Sequence, residues 1–302
     1  MVKHIGEIDM KRRNLIKNTA LAGSLAALPL VGSNVIAGTT KVASGSPASK
    51  VKYDFKRYRE TVTLVPVHKV TPDDGYYLHT FYDICPWSPS GRYLTCTKFP
   101  FQDREPGPKD EAQICLIDMK DQTLTELYST TGWGFQLGAN VQWGGTDRYL
   151  YFNDQVDGEG VCVRLDLETG KAEPLAGPMY HVASDDSAVI SFPLDLINAT
   201  QSGYGYAMDP AKVRTLKPGA AEDEGIWRTD LKTGKKTLLV SLAQAYDVLP
   251  DSDKKRFEGG TFYFFHSKFN PQADRVLQVF RCMMPNAGTE FGIGGTGVFK
   301  PM

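Results

Sequence analysis

Histidine is scarce in this 302-residue chain, with five in all, so each one outside the N-terminal region (His68, His79, His181 and His266) has to be weighed as possible chemistry. Cysteine is equally sparse, and Cys85, Cys96, Cys115, Cys162 and Cys282 contain no close pair with metal-site spacing. Most sit in apolar, strand-like runs and read as buried thiols; the odd number leaves at least one unpaired, with room for one disulfide in an oxidising compartment. An excess of charge is also missing, 34 basic side chains standing against 35 acidic ones. That balance removes the electrostatic case for nucleic acid or an anionic membrane as a partner. No apolar run reaches the ~20 residues of a membrane span; the best, Ala20 to Val31, is short. Absent too are Gly-x-Ser-x-Gly, His-Glu-x-x-His and a P-loop, while the glycine run from Gly292 to Gly297 lacks the strand-then-helix context of a dinucleotide site. Beyond the N-terminus no long window carries helical periodicity, and a short helix is expected only around Leu242 to Val248.

What is present begins with an export pattern. Lys11-Arg12-Arg13-Asn14-Leu15-Ile16-Lys17 precedes the apolar run, and Val35-Ile36-Ala37 supplies the small residues of a cleavage site. Residues 1–37 are therefore expected to be a twin-arginine-like or general secretory signal. Residues 38–50, rich in Gly, Ser, Thr, Ala and Lys, read as a flexible leader, and 51–302 as one domain in the periplasm or outside the cell.

The domain repeats itself. "WSPSGRYLTCT", "WGGTDRYLYFN" and "FNPQADRVLQVF" each read as strand, turn, strand; "ICLIDMKDQTLTELYS", "VCVRLDLETGKAEPLAG" and "IWRTDLKTGKKTLLVS" read as their hairpin partners. The pivotal acids Asp118, Asp166 and Asp230 recur near the ~40–50-residue period of propeller blades, the second interval lengthened by an insertion from Asn198 to Glu224. Gly in the Thr-Gly-Lys turns supplies positive φ. The pattern predicts an all-β propeller with four-stranded antiparallel blades at about 76–128, 133–176, 179–241 and 260–285, three complete and one partial. Because closed propellers need about 4 to 8 blades, either the chain is shortened or its open edge is covered, by a second copy or by Val51 to Val70.

Two histidines fall at or just before innermost strands, where propeller sites lie. His79 is either a reacting group or a structural imidazole in an aromatic corner with Tyr76, Tyr77, Phe81 and Tyr82. His266, in "FYFFHSKFNP", is either a satisfied core group or a metal ligand.

The blocks "HTFYDICPWSPSGRYL", "GWGFQLGANVQWGGTDRYLYFND", "SGYGYAMDP" and "FYFFHSKFNPQADRVLQVFR" occur in an order that resembles the oligogalacturonate-lyase-like propellers and, beside them, the propeller lyases that cut ulvan. The resemblance implies β-elimination on a uronic-acid-containing glycan. Such a reaction needs a base for the proton α to the carboxylate, a cation opposite that carboxylate and an acid for the leaving oxygen. It implies that His266 holds a divalent ion such as manganese or calcium, although the remaining ligands would come from a following blade. It also implies a Tyr from Tyr204 or Tyr206 and an Arg from Arg214 or Arg228. The expected catalytic set is His79, Tyr206 and Arg214, with Gln136, Asn140, Gln142 and Tyr204 as substrate contacts. The rival expectation is a propeller that binds protein or glycan without catalysis, or an inactive relative.

Overall fold

The structure, a computed structural model, describes residues 50–59 and 63–285 and the backbone of 299–301. The expected export signal and nearly all of the expected leader lie outside the described residues, as does the Gly292 to Gly297 run. Strands β1 (Lys50–Lys52), β2 (Lys56–Arg57) and β3 (His68–Lys69) precede the first blade. Blade 1 is β4 (Tyr76–Leu78), β5 (Tyr93–Phe99), β6 (Ala112–Asp118) and β7 (Thr123–Thr130), with β1 added outside β7. Blade 2 is β8 (Gln142–Trp143), β9 (Tyr149–Val156), β10 (Glu159–Asp166) and β11 (Ala172–Leu175). Blade 3 is β12 (His181–Val182), β13 (Ala188–Ser191), β14 (Gly225–Asp230) and β15 (Lys236–Ser241). Blade 4 has three strands among the described residues: β16 (Thr261–Phe269), β17 (Val276–Met283) and β18 (Phe299–Pro301). The fold is thus the all-β, propeller-type arrangement the repeat predicts, and within each blade every strand pairs antiparallel with its neighbour.

Each blade buries two faces because its strands alternate. On β9, Leu150 and Phe152 enter a core with Phe99, Ile114 and Tyr128 of blade 1. Tyr151, between them in sequence, points the other way, into a core with Val182, Val189 and Leu231 of blade 3. Blades 3 and 4 meet through Ile190, Phe192 and Ile226 against Tyr263, Phe264 and Phe265. Fully burying one such aromatic or aliphatic side chain contributes about 1.5–3 kcal/mol, so a blade has little reason to stand alone. The outward face of blade 1 is covered by Phe55 and Val70, which bears on the open-edge expectation: the N-terminal segment covers that face. A helix at Leu242–Asp247, where one was expected, is fixed by a capping box in which Ser241 Oγ accepts from Gln244 N. Two further short helices, Leu194–Ile197 and Asp251–Arg256, were not expected; Tyr246, Leu249 and Phe257 cover the Phe262 and Cys282 side of blade 4.

The repeated acids have a local task. Asp118, Asp166 and Asp230 each accept backbone N–H groups of the turn that follows, and each meets an arginine, Arg92, Arg148 or Arg228. In blades 1 and 2 that arginine sits in the Arg-Tyr of "GRYL" or "DRYL" and lies 5.0 and 5.1 Å from the adjacent tyrosine ring. In blades 1 and 2 the repeat thus encodes a clasp between two hairpins of one blade, whereas Arg228 and Asp230 share strand β14.

Candidate functional site

The inner strand of blade 4 is interrupted where its chemistry lies. Between Phe265 and Lys268 the register of β16 against β17 shifts, and His266 takes φ +61°. A non-glycine residue held in the left-handed region costs of the order of 1–3 kcal/mol and points to a site rather than a plain strand. The imidazole turns toward blade 3, where Tyr180 Oη lies 2.7 Å from His266 Nδ1. Tyr180 is only 1% exposed, and its backbone is gripped by two amides of blade 2. Asn140 Nδ2 and Gln142 Nε2 donate to its carbonyl at 2.9 and 2.8 Å, and Gln142 Oε1 accepts from Val182 N at 3.2 Å.

Three other elements converge. From blade 1, the segment between β4 and Trp87 lays the Phe81 ring parallel to the imidazole, centroids 5.8 Å apart, and sends Asp83 to Lys268 Nζ at 3.1 Å. That segment is anchored by Thr80, whose φ is +116° and whose Oγ1 donates to Val141 O at 2.9 Å. From the blade 3 insertion, Tyr204 stands edge-on to His266 at 6.3 Å and to Phe81 at 5.7 Å. From β17, opposite Tyr263, comes Arg281, with its guanidinium 4.6 Å over the Phe265 ring.

Arg281 is electrostatically unusual. Among the described residues, the other arginines that are not fully exposed, Arg148, Arg164 and Arg228, all have a carboxylate partner. Among the described residues Arg281 has no ion pair and its buried Nε has no hydrogen-bond partner; it reaches the Tyr263 hydroxyl. An uncompensated, half-buried guanidinium invites an anion. Its field is felt nearby. Burial first, then Arg281 and Lys268, push His266 down to about 4, with Asp83 opposing. His181 is likewise lowered to about 4 by burial and Lys268, while its Nδ1 accepts from Phe269 N at 3.2 Å. Burial raises both Tyr180 and Tyr204, so both phenols stay protonated at neutral pH. Neutral imidazoles, neutral phenols and two cations make a site suited to binding an anion and exchanging a proton beside it.

The expected residues divide sharply. Tyr204 and His266 are brought together. Asn140 and Gln142 are buried and spend their amides on the Met179 and Tyr180 carbonyls and on each other. Gln136 is exposed, its backbone N bonded to Gly203 O beside Tyr204. His79 is exposed at the start of the blade 1 segment, two residues before Phe81. Tyr206 is 3% exposed and packed among the blade 3 and blade 4 apolar side chains, away from the cluster around His266. Arg214 is clamped by Asp195 at 2.6 and 2.7 Å and by Glu224. Its rival Arg228 is held by Asp230.

A divalent ion does not fit the donors present. His266 faces two cations and uses Nδ1 on Tyr180, Asp83 is engaged by Lys268, and among the described residues no three His, Cys, Asp or Glu side chains gather. Sequence reasoning missed Tyr180, Asp83, Lys268 and Arg281. The one signal was Arg281 itself, a lone base in the apolar run "VLQVFRCM".

No protein-family model and no curated protein matches the chain. Among solved structures, it is similar to an oligogalacturonate lyase in complex with manganese, at 16% identity and a TM-score of 0.49, over 84% of this chain and 58% of that one. It is similar to an oligogalacturonate lyase from Vibrio parahaemolyticus at 12% identity and a TM-score of 0.47, again over 84% of this chain and 58% of that one. It is also similar to TolB from Acinetobacter baumannii at 13% identity and a TM-score of 0.43, over 79% of this chain and 46% of that one. The chain thus spans less than two thirds of the length of each of these structures.

Proposed function

We propose that this protein is an exported polysaccharide lyase acting by β-elimination on a uronic-acid-containing glycan of the pectic or ulvan kind. The observation that carries the reading is Arg281: a half-buried guanidinium that has no carboxylate partner among the described residues, next to a neutral histidine held by a tyrosine. In this reading Arg281 takes the uronate carboxylate and stabilises the charge that develops on it as the α-proton leaves. His266 is the base. In the tautomer whose Nδ1–H donates to Tyr180 Oη, Nε2 carries the free lone pair, and Tyr180 acts as a positioning residue. A bound carboxylate also offsets the two cations that depress the imidazole, so the substrate raises the proton affinity of its own base. Tyr204, a protonated phenol, gives its proton to the departing glycosidic oxygen as the carbon–oxygen bond breaks and the double bond forms. Phe81 and the exposed Tyr82 offer ring faces on which a sugar can stack.

A second reading, a binding protein for anionic glycans, is favoured by one feature: the Phe81 ring already covers one face of the imidazole. Incubation of the purified protein with oligogalacturonate, ulvan and glycosaminoglycans, followed by ultraviolet absorbance of the unsaturated uronate product, separates the two. The lyase reading expects product that falls by a factor of about 100 or more in His266→Gln and is lost in Arg281→Ala. Binding without product on all of these substrates leaves the binding reading; neither binding nor product overturns both.

A further inference from the structure

Blade 1 stands at the end of the stack, and where the other described blades bury both faces against blades or helices, its outward face is covered, among the described residues outside the blade, by Phe55 and Val70. At the centre of that thin cover, Cys96 on β5 lies directly opposite Cys115 on β6. The class of the pair follows from the ladder. Met119 N donates to Arg92 O, which makes 92 and 119 a hydrogen-bonded pair, and antiparallel pairs alternate in type along the unbroken β5–β6 register. Cys96 and Cys115 are therefore of the same bonded type, with Cα atoms about 5.5 Å apart, within the range most common for disulfides. Both thiols are buried, 5% and 0% exposed, on the same face of the sheet, in one apolar cluster with Ile117 and Leu124. Neither touches the site described above. The remaining cysteines, Cys85, Cys162 and Cys282, have no such neighbour across a strand pair.

We infer that Cys96 and Cys115 form a disulfide when the chain folds in an oxidising compartment, stapling the end blade beneath its thin cover. The oxidant is a disulfide of the glutathione or dithiol-oxidoreductase class. One cysteine thiolate attacks it, giving a mixed disulfide and releasing one reduced thiol; the second cysteine then displaces the other thiol, forming the Sγ–Sγ bond. The two protons lost by the cysteines end on the two thiols of the reduced oxidant. Cys115 is a poor nucleophile once buried, because burial and the facing Cys96 raise it well above an ordinary thiol, so the exchange belongs to folding, before the face is covered. The loop closed is about 20 residues, long enough for a substantial restriction of the unfolded chain.

Refolding the denatured full chain in a mixture of oxidised and reduced glutathione tests this independently of whether residues 1–37 direct export. Alkylation under denaturing, non-reducing conditions followed by mass spectrometry should find two of the five cysteines blocked, with a linked peptide pair carrying Cys96 and Cys115. A reductant should lower the urea midpoint of the refolded protein and leave that of Cys96→Ala/Cys115→Ala unchanged. Five alkylated cysteines, or a link between any other pair, overturns the inference.

Discussion

Acidification should weaken this protein through two imidazoles before its carboxylates begin to titrate. His266 and His181 are both held near 4 in the folded chain, against about 6.5 in the unfolded one. Between those values the unfolded chain binds more protons than the folded chain, so the stability they contribute is fully present above pH 6.5. It is lost as pH falls toward 4. Burial is the first cause, and the charges around the rings add to it: Arg281 and Lys268 repel a proton on His266, Lys268 repels one on His181, and Asp83 alone favours it. At pH 5 the linkage relation gives about 2 kcal/mol for each ring. Both rings are partly exposed, and allowing for solvent screening reduces this to about 1 kcal/mol each, or about 2 in all.

The assay is urea unfolding at pH 7.5 and pH 5, on the native sequence and on His266→Gln and His181→Gln. Each variant should remove about half of the acid-induced loss. Asp110 and Asp166, lowered to about 2 by Arg104 and Arg148, lose their contribution only below pH 4 and do not confuse the window. If stability is the same at the two pH values, or if both variants keep the full loss, the account of two buried neutral histidines beside cations is wrong.

Other perturbations test the scaffold. Asp154, 1% exposed, accepts from Tyr128 Oη at 2.8 Å, Thr130 Oγ1 at 3.0 Å and Thr131 N at 3.0 Å, so Asp154→Ala should cost about 3 kcal/mol by leaving buried donors unmatched, read by thermal unfolding. Gly160→Ala places a methyl where the Tyr206 hydroxyl sits and should cost about 1–3 kcal/mol, with partial recovery in Gly160→Ala/Tyr206→Phe. The Lys268–Asp83 pair joins blade 4 to the blade 1 segment, and a double-mutant cycle with Lys268→Met and Asp83→Asn should give a coupling of about 1 kcal/mol that weakens with salt.

The architecture was legible because it is written locally and repeatedly. Turn glycines, alternation and the recurring acids at Asp118, Asp166 and Asp230 all act within one hairpin or between adjacent hairpins, and a linear reading captures such distances. The acids were seen but their arginine partners were not, since Arg92 and Arg148 reach them across strands. Short helices such as Asp251–Arg256 escaped because one and a half turns carry no period.

The site was less legible because its members come from three blades, far apart along the chain. Tyr206 looked reactive through its place in "GYGY", yet Leu194 O and Asn198 close on Gly205 and turn the next ring inward, leaving Tyr204 at the cluster. Arg214 looked free because Asp195, its partner, is 19 residues away across an irregular loop. Arg281 drew no attention for the converse reason: along the sequence it is one base in a strand, and only the fold reveals that no acid among the described residues comes to meet it. The decisive feature is therefore a missing interaction. A sequence lists the charges a chain has, whereas pairing them requires the structure, and the cation left over marks where an anionic ligand can complete the balance.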